Sequence, residues 1–332
     1  MNTSSRQLDF ARKRVVIIGD LVADQFLNGT ISRVSREAPV FIVRHDETET
    51  RPGAAANTAA NIAALGGHAV LIGMVGDDEN ADLLLKSLQP LVTGDSIIQV
   101  AGIRTTTKVR VLAGQHYAAR QQMIRIDYEG SKEGSGDTRT RLAELFSKEA
   151  ETADAIVVSD YGYGVVTPEL FEQACLIASS RSIPLIVDSR FRLGEFFGAT
   201  SATPNQDEVE QILGSGFDAA DCERLRETLG LEALLVTRGN KGMLLIEASK
   251  PSVSIAAVGS SEPVDVTGAG DTVIAAYALG LAAGLSFAEA ARIANHAGSV
   301  VVMKKGTATV TGEELERSLI EHSRTPHAAP AN

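Results

Sequence analysis

The chain has 332 residues, 44% of them hydrophobic and 22% charged, and a formal net charge of −11. Its length is roughly twice the 150 residues of an average domain, which excludes a miniature fold that depends on metals or disulfides. The negative charge argues against nucleic acid or an anionic membrane as a partner, and the two cysteines, Cys175 and Cys222, lack metal-binding spacing.

The chain begins with a polar segment that lacks the apolar stretch of an export signal, so we expect a cytoplasmic protein. After it, short apolar runs alternate with helical segments. The runs are continuous, as in parallel strands that are buried on both faces. This alternation predicts an α/β fold with a mostly parallel sheet flanked by helices. The predicted strands are residues 14–19, 69–75, 155–159, 184–187 and 233–237.

Two segments, residues 27–50 and 97–128, interrupt this alternation. They contain stretches such as Val40-Phe41-Ile42-Val43, which are typical of strands with one face in solvent. We predict that the two segments form a small β-sheet lid. Its apolar face must be covered, which favours a homodimer in which the lids of two subunits pack together. The predicted boundaries are 13–322 for the domain that carries the lid, and 1–12 and 323–332 for flexible ends.

The strongest chemical signal is the segment Asp265-Val266-Thr267-Gly268-Ala269-Gly270-Asp271-Thr272, which precedes a long Ala-rich stretch. Gly268 and Gly270 let the backbone approach a ligand, and the free N–H groups of a helix start attract an anion. Asp271 can accept a proton from an attacking hydroxyl, and we expect the helix dipole to lower its pKa. Alternatively, Asp271 only caps a glycine-rich turn.

This segment resembles the second signature of the ribokinase-like (PfkB) carbohydrate kinases. Residues 52–57, Pro-Gly-Ala-Ala-Ala-Asn, resemble the first signature, although Ala54 stands where a second glycine is common. The resemblance implies a ribokinase-like fold and a sugar kinase. It also implies a role for each matching residue: Asp271 as the base, Gly268, Ala269 and Gly270 as the anion-binding loop, and Gly53 and Asn57 as sugar contacts.

Three further segments match the family's nucleotide site. Asn205-Gln206-Asp207-Glu208 matches its Asn-x-x-Glu element, which implies that Asn205 and Glu208 orient Mg²⁺ through water, although Asn205 could simply cap a helix. Residues 237–242 resemble the nucleotide loop, and residues 294–298 resemble the helix beside the adenine. The resemblance thus implies ATP and Mg²⁺ and leaves a monovalent cation open. The implied nucleotide-binding residues are Asn205, Thr237, Gly239, Lys241, Gly242 and Asn295.

One branch of the family is especially similar. Residues 32–40, 122–127 and 304–310 look like the heptose-7-phosphate kinases. This resemblance implies ATP-dependent phosphorylation of C1 of D-glycero-β-D-manno-heptose 7-phosphate to the 1,7-bisphosphate, in the synthesis of ADP-heptose and the lipopolysaccharide core. The chain has no His-x-Gly-His motif of a nucleotidyltransferase, which predicts a stand-alone kinase.

A phosphorylated acceptor requires cations, and the lid segments carry several of them. Lys108 and Arg125 are the preferred pair because each lies in a strand-like run, and Arg33 is a further candidate. Asp20 follows the first strand at the edge where open α/β sheets bind ligands, so it could bind a hydroxyl or only stabilise a turn. Arg36, Arg104, Arg110 and Arg120 are further cations of the lid segments, and Asp24 also follows the first strand.

Other functions remain open. The chain could be a PfkB kinase that acts on ribose, fructose or fructose 6-phosphate, or a catalytically silent regulator that binds sugar or nucleotide. A nicotinamide-dependent dehydrogenase is disfavoured because Gly19-Asp20-Leu21 lacks the Gly-x-Gly-x-x-Gly turn.

Overall fold

Continuous runs of Val, Ile and Leu form the centre of the protein, as their lack of alternation indicated. The computed structural model describes residues 9–115, 120–130, 135–260 and 262–323. The strands are β1 (Arg14–Gly19), β2 (Leu21–Val34), β3 (Phe41–Ala54), β4 (His68–Gly76), β5 (Ile97–Val100), β6 (Thr107–Gly114), β7 (Gln121–Tyr128), β8 (Ala155–Asp160), β9 (Leu185–Ser189), β10 (Ser201–Ala202), β11 (Ala233–Thr237), β12 (Met243–Glu247) and β13 (Val253–Ile255).

The large sheet has the order β13-β12-β11-β10-β9-β8-β1-β4-β5 within the described residues. Neighbouring strands are parallel from β11 through β10, β9, β8, β1 and β4 to β5. Strand β12 pairs antiparallel with both β11 and β13. All five predicted strands lie in this sheet, which confirms the α/β prediction. The carboxyl ends of the parallel strands meet at one edge, where polar residues follow β1, β8, β9 and β11.

Helices cover both faces of the large sheet, and their apolar sides form two core clusters. The helix that starts with Pro168 is capped by Thr167, whose side chain accepts a hydrogen bond from Leu170 N–H. No helix among the described residues is both long and apolar enough to cross a membrane. The helices are α1 (Ala55–Ala64), α2 (Glu79–Leu88), α3 (Gly136–Ala150), α4 (Pro168–Arg181), α5 (Gln206–Leu213), α6 (Ala219–Thr228), α7 (Ala269–Ala282), α8 (Phe287–Val301) and α9 (Gly312–Ser323).

A separate sheet with the strand order β3-β2-β6-β7 forms the lid. The β2–β3 hairpin contains the predicted segment 27–50 and reaches back to a pairing of Leu21 with Ala54. The other predicted segment, 97–128, begins too early. Its first strand, β5, pairs in parallel with β4 at the edge of the large sheet. Ile98 is buried there, so an apolar run that we assigned to the lid belongs to the core.

The predicted flexible ends lie mostly outside the described residues, which include only 9–12 and 323 of them. Phe10 is buried in the core, and its carbonyl accepts a hydrogen bond of 2.9 Å from Lys13 N–H. Ser323 is the last residue of α9. Phe10 is thus packed and Ser323 is helical, and the flexibility of the ends stays a prediction.

Candidate active site

Asp271 lies in the first turn of α7, with its carboxylate buried under the lid. Gly268 caps this helix in the left-handed conformation, with φ 76°. The N–H of Ala269 donates to Val266 O at 3.2 Å, whereas the N–H groups of Gly270 and Asp271 have no acceptor within the described chain. Two free N–H groups at a helix start, next to a carboxylate, suit a ligand that is an anion on one side and a proton donor on the other.

Two side chains hold the carboxylate of Asp271. Asn57 Nδ2 donates to Oδ2 at 2.8 Å, and the hydroxyl of Tyr161 donates to Oδ1 at 2.8 Å. Burial raises the pKa of Asp271 to about 6, and these two hydrogen bonds partly oppose the rise. The expectation that the helix dipole lowers this pKa is therefore wrong, because desolvation is the larger effect.

The side chain of Asn57 is itself fixed by a second amide. Asn61 Nδ2 donates to Asn57 Oδ1 at 3.1 Å, which directs Nδ2 of Asn57 towards Asp271. Asn61 Oδ1 in turn accepts from the hydroxyl of Thr272 at 3.0 Å and from Val310 N–H at 3.2 Å. Helix α1, helix α7 and the segment before α9 thus hold one another in register around Asp271.

The two aspartates after β1 have different environments. Asp20 accepts three backbone N–H groups, from Tyr161 at 2.8 Å, Tyr163 at 3.0 Å and Val165 at 3.1 Å. It is buried and fixes the loop after β8, as the turn-stabilising alternative predicts. Its role in sugar binding stays a prediction.

Asp24 belongs to the base of the lid and forms a buried ion pair with Arg110, at 2.6 Å. A Cβ on Gly53 would lie 2.6 Å from Asp24 Oδ2, so only glycine fits opposite this carboxylate. Burial raises the pKa of Asp24, and Arg110 opposes the rise. Its charge also raises the pKa of Asp271.

The lid cations that the sequence singles out are spread over its length. Lys108 Nζ lies 5.4 Å from the ring centroid of Tyr161 and 5.7 Å from that of Tyr163, and its charge lowers the pKa of Asp271. Arg125 is exposed and pairs with Asp127 at 2.8 Å. Arg33 is exposed near the far end of β2, about 30 Å along the strand from Asp24 at about 3.3 Å per residue. Within one subunit, the structure does not bring Arg33 to Asp271.

A groove of about 650 Å³ lies between the lid strands and the segment at Lys305 and Gly306, with Phe26 and Leu112 among its lining residues. Its cations are largely paired: Arg51 with Glu49 at 2.8 Å, and Arg120 with Asp46 at 3.0 Å. Arg51 also donates to the carbonyls of Lys305 and Thr307, at 2.7 and 3.2 Å. The base of the lid is thereby tied to the segment that packs against Gly268.

The predicted nucleotide-binding residues fall into two neighbouring groups. Asn205 forms a parallel bridge with Thr237, at the end of β11. Asn295 Nδ2 donates to Ala256 O at 2.7 Å. Gly242, with φ 82°, packs against the same 255–257 segment, where a Cβ would lie 2.0 Å from Ile255 O. The short helical turn Gly239–Lys241 links the two groups and leaves Lys241 exposed.

Asn205 and Glu208 form a complete capping box at the start of α5. Asn205 Oδ1 accepts from Glu208 N–H, and Glu208 Oε2 accepts from Asn205 N–H, both at 2.9 Å. Burial raises the pKa of Glu208, while the Asn205 N–H and Arg190 oppose the rise. The structural alternative for Asn205 is thus present, and a metal-orienting role stays a prediction.

Other acidic residues at this edge differ in their partners. Asp160 is fully buried and accepts a hydrogen bond from Ser189. It also forms an ion pair with Arg192, which indicates a structural role. Burial, followed by the charges of Glu208 and Asp271, raises the pKa of Asp188 well above its usual value. No group of three or more potential metal-ligating side chains occurs in the described parts of the chain.

Sequence reasoning missed two residues of this site. Tyr161 follows Asp160 at the end of β8, and Arg190 follows Ser189 at the end of β9. The charge of Arg190 opposes the rise in the pKa of Asp188, Glu208 and Tyr161. Both lie at the edge of the sheet that the topology rule selects, but a search of that edge for carboxylates alone passes over a tyrosine and an arginine.

The fold and this site are those of a sugar kinase with the ribokinase-like architecture. The chain belongs to the pfkB family of carbohydrate kinases, because the model of that family matches residues 12–313. Similar solved structures show the same fold. Phosphofructokinase-2 from Escherichia coli in complex with substrates and products has a TM-score of 0.75 at 20% identity, covering 94% of this chain and 100% of that one. Ribokinase of Arabidopsis thaliana complexed with ribose and ATP has a TM-score of 0.69 at 20% identity, covering 94% and 99%.

Curated relatives named bifunctional protein HldE are more similar in sequence. The relative from Shewanella amazonensis is 41% identical over 321 residues, which cover 94% of this chain and 65% of the relative. The relative from Gluconobacter oxydans is 40% identical over 322 residues, with coverage of 94% and 66%. The chain therefore spans about 65% of the length of these relatives. The predicted membership of the PfkB family is confirmed.

Proposed function

We propose that the chain transfers the γ-phosphoryl group of ATP to the C1 hydroxyl of D-glycero-β-D-manno-heptose 7-phosphate, for the synthesis of ADP-heptose and the lipopolysaccharide core. The observation that carries the kinase chemistry is the buried carboxylate of Asp271 beside the free N–H groups at the start of α7. The heptose acceptor is supported by the similarity of residues 32–40, 122–127 and 304–310 to heptose-7-phosphate kinases. We also propose that the protein is cytoplasmic, because the proposed reaction uses ATP.

In this mechanism Asp271 takes the proton of the acceptor hydroxyl while the hydroxyl oxygen forms its bond to the γ-phosphorus. The bond between the γ-phosphorus and the bridging oxygen breaks, and its electron pair leaves with ADP. The N–H groups of Gly270 and Asp271 stabilise the charge on the transferred group. Gly268 shapes the turn, and Ala269 has a lesser role because its N–H is directed to Val266 O.

We assign ATP to the edge formed by residues 237–242, Asn205 and Asn295. Mg²⁺ usually binds through one or two carboxylates and keeps several waters. Glu208 and Asp188 offer two carboxylates at this edge, although Glu208 Oε2 and Asn205 Oδ1 already form the capping box. These donors fit an ion held through water and the phosphates of ATP. When bound, Mg²⁺ would neutralise charge on those phosphates. A monovalent cation is not part of the proposal.

For the acceptor we prefer Asp24 to Asp20 as the carboxylate that binds a hydroxyl. Asp20 already accepts three backbone N–H groups, whereas the hydrogen bond from Arg110 reaches only Oδ1 of Asp24 and leaves Oδ2 without a hydrogen-bond donor among the described residues. The positive charge of Lys108 lowers the pKa of both Asp24 and Asp271. Its ammonium group can therefore hold an anionic acceptor beside the proposed base. Arg125 is the second proposed phosphate ligand, and Asn57 and Gly53 remain proposed sugar contacts.

Replacing Asp271 with Asn tests the proposed base. We expect turnover to fall by at least about a hundredfold, because proton transfer by a positioned group contributes on this scale. ATP binding, measured by calorimetry, should change little because Asn keeps the shape of the side chain. Asp82→Asn, an exposed site on α2, is the matched control. Turnover of Asp271→Asn close to that of the wild type would remove Asp271 from this role.

A panel of acceptors tests the substrate. ADP release is measured with heptose 7-phosphate, ribose, fructose and fructose 6-phosphate at equal concentration. We expect the highest kcat/KM for heptose 7-phosphate. Preference for an unphosphorylated sugar, or for fructose 6-phosphate, would instead support another sugar kinase of this family. The lack of turnover with every sugar would favour a silent regulator.

We also propose a homodimer that forms through the lid. Register places Ile124 and Ile126 of β7 beside Val111 and Val109 of β6, so their side chains share one face. Ile124 is 56% exposed and Ile126 41% exposed. An apolar sheet face of this kind requires cover, and a second lid supplies a matching surface. Sedimentation velocity at micromolar concentration should give a dimer, and a monomer would contradict the proposal.

A further inference from the structure

Tyr161 connects three parts of the site. Its backbone N–H donates to Asp20 at 2.8 Å, which fixes the residue at the end of β8. Its hydroxyl donates to Asp271 Oδ1 at 2.8 Å. Its ring lies under the ammonium of Lys108, with 5.4 Å between Nζ and the ring centroid. One side chain thus contacts both the proposed base and the lid cation proposed to bind the acceptor.

We propose that Tyr161 is a positioning residue for phosphoryl transfer, whose hydroxyl holds one oxygen of Asp271 and keeps the carboxylate ionised near neutral pH. The inference rests on the proposed role of Asp271 as the base. The hydroxyl is a donor in this contact and does not transfer its own proton, because burial and the charge of Asp271 raise the pKa of Tyr161 well above its usual value. Tyr161 therefore acts through Asp271.

The charged groups around Asp271 determine what the hydroxyl adds. The carboxylates of Asp24 and Asp188 interact unfavourably with the ionised base, and Lys108 interacts favourably. Burial also favours the protonated form. The hydrogen bonds from Asn57 and Tyr161 offset these effects directly, since each donates to one carboxylate oxygen. Loss of the Tyr161 hydroxyl removes one of these two hydrogen bonds and leaves that of Asn57.

Removing that hydroxyl isolates the effect. Tyr161→Phe keeps the ring under Lys108 and the backbone hydrogen bond to Asp20. Tyr163→Phe is the matched control, because its ring also lies under Lys108, at 5.7 Å, and its backbone also donates to Asp20. No hydrogen bond joins the Tyr163 hydroxyl to Asp271 in the described structure. The two variants thus differ in one contact to the carboxylate.

The first measurement needs no substrate. The carboxyl carbon of Asp271 is titrated by NMR in protein labelled at the aspartate carboxyl carbons, and Asp271→Asn identifies its resonance. The midpoint should lie near the pKa of about 6 in the wild type. In Tyr161→Phe it should move up by about one pH unit, the scale of a hydrogen bond to a charged group. In Tyr163→Phe it should not move.

The second measurement is the pH profile of kcat/KM with ATP and heptose 7-phosphate. The acid limb of Tyr161→Phe should move up by the same amount as the NMR midpoint, with KM for ATP unchanged, and Tyr163→Phe should keep the limb of the wild type. If Tyr161→Phe melts well below the wild type, 3-fluorotyrosine at position 161 replaces it. Its more acidic hydroxyl donates more strongly and should move the midpoint down.

The possible outcomes separate the two ideas. An unmoved midpoint in folded Tyr161→Phe, or with 3-fluorotyrosine, overturns the inference about Tyr161. Full turnover of Asp271→Asn instead refutes the proposed base, while the NMR titration still reports on the hydrogen bond. A general loss of turnover in Tyr161→Phe without movement of the acid limb indicates a structural role and also overturns the inference.

Discussion

Replacing Gly268 with Ala should disrupt the site through one atom. Gly268 has φ 76°, a conformation that costs an L-residue about 1–2 kcal/mol. An added Cβ would lie 2.5 Å from Asn57 Nδ2 and 3.2 Å from Thr307 Cγ2. Asn57 must therefore move away and lose its hydrogen bond to Asp271, and such a bond to a charged group contributes about 1.5–3 kcal/mol. The expected loss of stability is about 2.5–5 kcal/mol.

The neighbouring Gly270 provides the control for this prediction. It lies inside α7, and an added Cβ would meet no atom within 4 Å. Ala is favoured over Gly in a helix by up to about 1 kcal/mol, so Gly270→Ala should be as stable as the wild type or slightly more stable. Urea unfolding measures both variants. Turnover of Gly268→Ala should also fall, because Asn57 no longer holds Asp271.

Equal stability of Gly268→Ala and Gly270→Ala would refute this reasoning. It would mean that the turn before α7 can relax without moving Asn57. A destabilised Gly268→Ala with normal turnover would refute only the second step, in which Asn57 holds the carboxylate of Asp271. The two measurements thus test the conformational cost and the coupling to the base separately.

Two further predictions concern the lid. Lys108→Met should raise KM for heptose 7-phosphate by about 10–100-fold, the scale of a charge-assisted contact, and leave KM for ATP unchanged. Lys86→Met, on the exposed face of α2, is the control. If Lys108→Met and the wild type have equal KM values for heptose 7-phosphate, Lys108 is not a phosphate ligand. Arg110→Met should destabilise the protein by about 3–5 kcal/mol because Asp24 loses its buried counter-ion. This loss of stability should become smaller as the pH falls, because burial already raises the pKa of Asp24 and the protonated carboxyl needs no counter-ion. Urea unfolding at several pH values measures it, and a loss that does not depend on pH would contradict this account.

The sequence predicted the large sheet because burial on both faces leaves a direct trace. A strand such as β1 is apolar at every position after Arg14, and few other structures require that pattern. The strand β5 is too short to leave the same trace. Its four residues, Ile-Ile-Gln-Val, carry too little pattern to distinguish an edge strand of the large sheet from a lid strand. Only the pairing with β4 decides between them.

The site was predictable where a motif and a topology rule agreed. Asp271, Gly268 and Asn57 come together at one helix start, although Asn57 is far from Asp271 in sequence. Tyr161 was not predictable in the same way. Its contribution depends on a hydroxyl that reaches across from another strand end, and no local spacing encodes that distance. Asp20 and Asp24 are both acidic residues after β1, and only their hydrogen-bond partners distinguish them.

Two opposing effects act on the pKa of Asp271: the helix dipole lowers it and burial raises it. Only the first can be recognised from the sequence. A helix start is visible in the sequence, and its dipole contributes about 0.3–1 kcal/mol at an exposed position, which is less than one pH unit. Burial is visible only in the fold, and it exceeds the dipole here because the carboxylate lies 3% exposed beneath the lid. The hydrogen bonds from Asn57 and Tyr161 limit the rise and leave the pKa at about 6. A base with this pKa is largely ionised at pH 7 and yet accepts a proton more readily than an exposed aspartate, which suits it to an alcohol acceptor.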